Sequence, residues 1–497
     1  MWYRRAGAGI IVGQEEKGSL FSLSIDRSFS GVKPLPPPKR LAEILGPGAI
    51  ISAMAIGAGE LIFWPILVAN HGFSIAWLIP IALFVQYLWL VESARWTIAV
   101  GEGWVQASGR LPARMLWPVL WVFIMTVTLV WPGWAIASAV ALWMFTGGDS
   151  SFLGLVGWGL VVYLSAAFIL LAPKRVYTGL HYVSLAAIIV FNVGLIASAI
   201  GVATSNPATL GDAIRGFTSF GKIPEGVDMR LLASAIAYAG LGAMGNAFYS
   251  LLVRDRGWGM ASYAGSIPGL RGKGKILEKG YMPNSDPQDL SRLRGWSRLL
   301  EKEGLALFLI PSFLTLFLFV YLAGAILYPR IVSGEISPEK LQGLGAVLIQ
   351  SKFFETLIGD LGVTIYLIVA FMALWTTQLG LLDAMSRTWA DTLYVYSSRA
   401  RKVGVKTLYV AVLAILVVIG ISVIVSGAWK TRPADLLKLA AYLGLIQQII
   451  SIPVTVAINH FILPKEIKEA MGVRTWKSLL LLSVGVTLYL FAFIGGL

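Results

Sequence analysis

Glu60 is the only charged residue between Ile44 and Asn70, and it directly follows Gly57-Ala58-Gly59. A carboxylate that far inside an apolar stretch is costly in hydrocarbon, so it is expected to face a protein interior or a wet cavity and to have a task there. The glycines beside it let a helix come apart, turning backbone carbonyls toward a bound solute. A second segment, Gly240-Leu241-Gly242-Ala243-Met244-Gly245-Asn246, repeats the pattern with a neutral amide in place of the acid. Together the two offer a hard anionic ligand in Glu60, an amide oxygen in Asn246, a thioether in Met244, and loosened carbonyls around Gly57 and Leu241. Gln447 adds a further amide, with Gln448 as the competing choice, and Ser451 and Pro453 follow. Mostly oxygen ligands with one optional sulfur suit a divalent cation, Mn or Fe if the sulfur binds and Mg if it does not. The plainer roles for these residues are close helix packing for the glycines and core filling for Met244.

Four more charges fall inside apolar stretches. Asp383 and Arg387 are four residues apart, so they share a helix face and can pair, with Asp391 a further turn along. Glu92 and Arg95, three apart, can do the same. Such pairs either neutralise each other or form part of a polar route for protons. The three histidines, His71, His181 and His460, are scattered and lack the spacing of a metal site.

The elements that position these residues follow from composition. The chain has 497 residues, 57% hydrophobic and only 13% charged, where soluble domains carry roughly 25% charged residues. It reads as an all-α polytopic membrane protein. The net charge of +14 is assigned to loops that orient helices rather than to nucleic acid, because the basic loops lack interleaved aromatic platforms. Zero cysteines exclude disulfides, iron–sulfur clusters and thiol nucleophiles. No Lys-Ser/Thr follows the GxG elements, so no ATPase is implied.

Apolar runs predict eleven spans: Ile44–Asn70, Ser74–Val100, Met115–Phe145, Phe152–Ala172, Leu180–Val202, Leu231–Val253, Leu305–Leu327, Leu361–Ala390, Thr407–Val425, Ala434–Leu463 and Trp476–Gly496. Most of the 40 Lys and Arg residues fall on one side of this arrangement. The expectation is a multi-pass protein of the cell membrane with its N-terminus cytoplasmic and its C-terminus outside. Residues 1–40 read as a flexible cytoplasmic tail without a signal peptide. Arg254–Lys302 reads as a basic, Gly-rich cytoplasmic loop, and Pro329–Asp360 as an outside loop containing a short helix. Gly-interrupted segments open the first and sixth spans, the arrangement expected of two inverted five-helix repeats whose lead helices break near the bilayer centre.

At these residues the chain resembles the Nramp family of divalent metal transporters over about residues 41–497. Gly46-Pro47-Gly48 is similar to the segment that opens the family's first helix. Gly57-Ala58-Gly59-Glu60 aligns with its Asp-Pro-Gly-Asn motif, Met244-Gly245-Asn246 with Met-Pro-His, and Gln447 and Ser451 with a tenth-helix Gln and Ser. The departures matter. The family's metal-binding Asp becomes Gly57 and its Asn becomes Glu60, moving the carboxylate by three residues, while the His linked to proton movement becomes Asn246. The chain thus resembles a divergent branch, as Thr377-Gln378-Leu379-Gly380-Leu381-Leu382-Asp383 and Arg254-Asp255-Arg256-Gly257-Trp258-Gly259-Met260 also suggest.

The resemblance implies a LeuT-like 5+5 inverted repeat plus an eleventh helix, with helices 1 and 6 broken. The first repeat covers about 41–203, the second about 231–463, and the appended helix about 476–496. It implies a secondary transporter, not an enzyme, that needs no cofactor and moves a divalent metal by alternating access. Glu60, Gly57, Leu241, Met244, Asn246 and Gln447 surround the metal. If protons are coupled, Glu60 or Asp383 carries them, with Arg387, Glu92 and Arg95 as further coupling or structural charges. The first alternative keeps the fold and carries an organic cation or amino acid on Glu60; the second is a membrane-embedded enzyme or receptor.

Overall fold

The computed structural model describes residues 24–39, 51, 54, 55, 57, 59–146, 152–172, 174–242, 244–267, 276–341, 345–427 and 433–497. Residues 1–23, Gly46-Pro47-Gly48, Ala58, Ala243 and the His181 side chain lie outside the described residues. Eight described helices are long and apolar enough to cross a membrane. Ile189–Ser205 passes the same test only together with Ala208–Phe217, into which it bends by 115°. The remaining two expected spans, the first and the sixth, are not among these: much of the first lies outside the described residues, and the sixth is interrupted. The first runs through a turn at Gly57 into a π-helix, Gly59–Phe63, and the half-helix Trp64–His71. The sixth is split into Met229–Ala237 and Gly245–Asp255.

Burial separates an inner set of helices from an outer one. In the second span, Leu78–Val100, 78% of the apolar window is buried, and in the eighth, Asp360–Tyr396, 67%. In the ninth, Val405–Ser426, only 28% is buried. Its outward face carries Ile415 and Val418, as the fourth span carries Phe168 and the eleventh Leu479 and Ile494. Apolar side chains outside and polar ones inside is the order a bilayer selects. The broken helices lie among the inner set, where their freed backbone groups meet protein rather than lipid.

Three expectations are corrected. Met115–Phe145 is two helices, Leu116–Leu129 and Gly133–Thr146, because Pro132 lacks an N–H and its ring blocks a continuing turn. The region Arg254–Lys302 is not loop throughout: Asp286 caps the helix Pro287–Gly304 by accepting the Asp289 N–H, and this helix runs directly into the seventh span. The third concerns the tail. Residues 24–39 are bonded across one face of the protein instead of hanging free. Val32–Lys33 pairs in parallel with Met282–Pro283, and Leu35 N–H reaches Asp289 at 2.9 Å. Trp296 Nε1 donates to Pro36 O at 2.8 Å, and Arg27 donates to Phe461 O at 2.9 Å. Arg110, paired with buried Glu102, donates to Ser28 O at 2.7 Å and lies over the Phe29 ring. Burial raises the pKa of Asp26, but the Ser28 hydroxyl and N–H, with Arg110 and Lys279, outweigh it and hold the acid below its usual range. A proline-rich segment showed no periodicity because its anchors are backbone groups and single side chains of distant elements.

On the opposite face the long loop forms Pro338–Leu341, Gly345–Ile349 and Lys352–Ile358. Between the last two helices Gln350 is fully buried. It donates to Leu61 O at 2.7 Å and accepts from the Tyr366 hydroxyl at 2.9 Å, tying the loop to the π-helix that holds Glu60.

Candidate site at the helix breaks

The two breaks touch each other, and only glycine permits the contact. A Cβ on Gly59 would sit 1.9 Å from Tyr238 O. Gly240 and Gly242 have φ of +95° and +62°, the left-handed region that side-chain-bearing residues avoid. Unwinding frees the N–H groups of residues 240–242 and the carbonyl of Ala237, and each finds a side chain. Glu60 is fully buried and accepts Gly57 N–H at 3.3 Å on Oε2 and Gly240 N–H at 3.1 Å on Oε1. Its carboxylate therefore bridges both breaks. Gln86 of the second span accepts Leu241 and Gly242 N–H at 3.1 and 3.2 Å and donates to Ala237 O at 3.2 Å. Gln448 donates to the same Ala237 O at 3.1 Å.

Between the breaks lies a cavity of about 20 Å³, lined by Gly57, Gly59, Trp134, Tyr238, Gly240, Leu241, Thr377, Leu381 and a few further apolar residues. One water needs roughly 10–15 Å³ measured in this way, so the space fits a water or a bare ion. Trp134 meets Tyr238 edge to face at 5.7 Å. Of the six residues expected around a solute, Gly57 and Leu241 line the cavity, while Glu60 is outside the lining and accepts N–H bonds from two residues of it, Gly57 and Gly240. Met244, Asn246 and Gln447 are buried but outside the lining. The amides of Asn246 and Gln447 have no hydrogen-bond partner at either end, an unusual state for buried polar groups. Among the described residues no group of three or more His, Cys, Asp or Glu stands at metal-binding separation.

The charge pairs form as the spacing implied, each within a larger cluster. Arg95 bonds Glu92 at 2.7 Å and also Glu301, which in turn meets Lys477 at 2.6 Å. Asn459 donates to Glu92 at 3.1 Å. Arg387 donates to Asp383 at 2.8 Å and to Asp255 at 2.9 Å, and Asp391 pairs with Arg254 at 2.5 Å. His460 meets Ser478 at 2.8 Å. Gln86, Gln350 and the buried pair Tyr249–Glu303, 2.5 Å apart, escaped sequence reasoning. Gln86 did carry a signal: a lone polar residue within the apolar run Leu78–Leu90.

No protein-family model and no curated sequence matches the chain. Solved structures do. A manganese transporter of Eremococcus coleocola superposes with a TM-score of 0.55 at 11% identity, covering 95% of this chain and 90% of that one. MhsT in complex with L-phenylalanine gives 0.50 at 15%, covering 90% and 98%. Mhp1, a nucleobase-cation-symport-1 family transporter, gives 0.50 at 13%, covering 93% and 94%. At such identities the likeness concerns the backbone, and on that evidence the chain has the LeuT fold, with an inverted repeat of five helices, broken first and sixth helices and an eleventh helix appended.

Proposed function

We propose that the chain is a secondary transporter that carries a divalent metal cation by alternating access, with Glu60 supplying the main charge. The observation that carries this is the placement of one carboxylate on N–H groups of both broken helices, from Gly57 and Gly240, the residues that themselves line an ion-sized cavity. Each Glu60 oxygen accepts one N–H and keeps a lone pair free. A cation in the cavity would meet the polar backbone of Gly57 and Leu241, and movement of the half-helices would be needed for it to reach Glu60 and the unsatisfied amides of Asn246 and Gln447. The resemblance to Nramp motifs supports metal over other solutes. Because Glu60 holds the breaks together, drawing it onto a cation alters the restraint between the half-helices, and this is the coupling of binding to motion that alternating access requires.

One observation favours a second substrate class. Trp134 and Tyr238 line the same cavity with aromatic rings, the surface that binds organic ammonium groups. The test is flux in liposomes containing the purified protein, with Mn, Mg, Ca and amino acids as solutes, with and without a pH step. Uptake of a divalent metal supports the first assignment. Amino-acid uptake without metal dependence replaces it with the second.

A further inference from the structure

The Arg254-Asp255-Arg256 segment closes the half-helix Gly245–Asp255 and takes no part in the cavity. There the half-helix meets the eighth helix through a buried cluster. Asp255 Oδ2 accepts from Arg387 Nη1 at 2.9 Å. Its Oδ1 is buried without a hydrogen-bond partner and stands 3.7 Å from Arg254 Nε. Arg254, fully buried, spends Nη1 on Asp391 and leaves Nε and Nη2 without acceptors. Arg387 Nε is committed to both oxygens of Asp383, its Nη1 also reaches Ile267 O, and the Tyr409 hydroxyl donates to Asp383 at 2.7 Å. The charged groups facing Asp255 are thus Arg254 on its own helix and Asp383, Arg387 and Asp391 on the eighth, with Tyr409 of the ninth behind Asp383.

Among the described residues of this cluster, three carboxylates face two guanidiniums. One negative charge remains, in a setting where unbalanced charge is costly. Asp383 takes Arg387 Nε on both oxygens and Asp391 takes Arg254 Nη1, so the one open acceptor among the three carboxylates' buried oxygens is Asp255 Oδ1. We propose that Asp255 is a proton-binding site. One proton from water adds to Oδ1, forming an O–H bond and leaving the cluster neutral. Neutral Asp255 loses its ionic hold on Arg387, which stays with Asp383, and the sixth half-helix keeps only the Arg254–Asp391 ion pair to the eighth. The link from this proton to solute movement rests on the carrier function proposed above; the binding of the proton does not.

Infrared difference spectra of the purified full-length protein, between neutral and mildly acidic buffer, test the assignment. A carboxylic-acid carbonyl band should appear on acidification, vanish in Asp255→Asn, and persist in Glu60→Gln. If Asp255→Asn does not fold, Asp255→Glu keeps the acid and should shift the band. A band unchanged in both Asp255 variants, lost in Glu60→Gln, or missing from the native protein overturns the site. Manganese flux in liposomes is read separately. No flux with an intact titrating band defeats the carrier function and leaves the proton site standing.

Discussion

Gln86 is expected to hold the sixth-helix break together, and the structure sets the size of the effect. Its side chain serves three freed backbone groups: the N–H of Leu241 and of Gly242, and the carbonyl of Ala237. In Gln86→Leu both N–H groups lose their acceptor, while Ala237 O keeps its bond from Gln448. An orphaned buried donor costs about 1–3 kcal/mol, so the variant should lose about 2–6 kcal/mol. Gln448→Leu removes one of two donors to Ala237 O and should cost only about 0.5–1.5 kcal/mol. The double variant should lose more than the two single losses combined, because Ala237 O then has no donor, and coupled neighbours of this kind are not additive. Unfolding in detergent, followed by tryptophan fluorescence, gives all three values. A Gln86→Leu variant within about 0.5 kcal/mol of the native protein, or an additive double variant, would refute the clamp.

Gly59→Ala should abolish folded protein, since its Cβ would overlap Tyr238 O, whereas Gly157→Ala, with nothing within 4 Å, should express and elute from a sizing column like the native chain. Arg110→Ala strips the guanidinium from buried Glu102 and from Ser28 O, a loss of about 3–5 kcal/mol for a broken buried pair; faster tryptic cleavage after Arg27 should report the freed segment. Asp26 is held below its usual range in the folded protein, so its contribution is present above the unfolded pKa of roughly 3.9 and lost as pH falls through the lower folded value. Hydrogen-exchange protection of the Ser28 and Ser30 amides, relative to the unstructured rate at each pH, should therefore hold from neutral pH to about pH 4 and fall only below it.

What could be read from the chain alone was whatever a bilayer makes expensive. Glu60 beside its glycines, the second glycine cluster and the pairs at three- and four-residue spacing all mark places where hydrocarbon forces a polar solution. Those features led to the fold and to the junction. The break at Pro132 was legible in principle, but the apolar run through it outweighed one proline. The position of residues 24–39 was not legible, since backbone pairing with Met282–Pro283 leaves no side-chain pattern. Nor could the sequence orient Met244 and Asn246, because beyond an unwound turn the rotation of a half-helix is set by tertiary contacts, or tell which of Gln447 and Gln448 on the tenth helix meets the break.

The most direct test of the account is manganese binding to the purified protein, followed by quenching of the tryptophans, of which Trp134 lines the cavity. The native chain should bind saturably, and Glu60→Gln, shown to be folded by its unfolding curve, should lose that binding. Equal binding by the two proteins would contradict a carboxylate-centred cation site at the helix breaks.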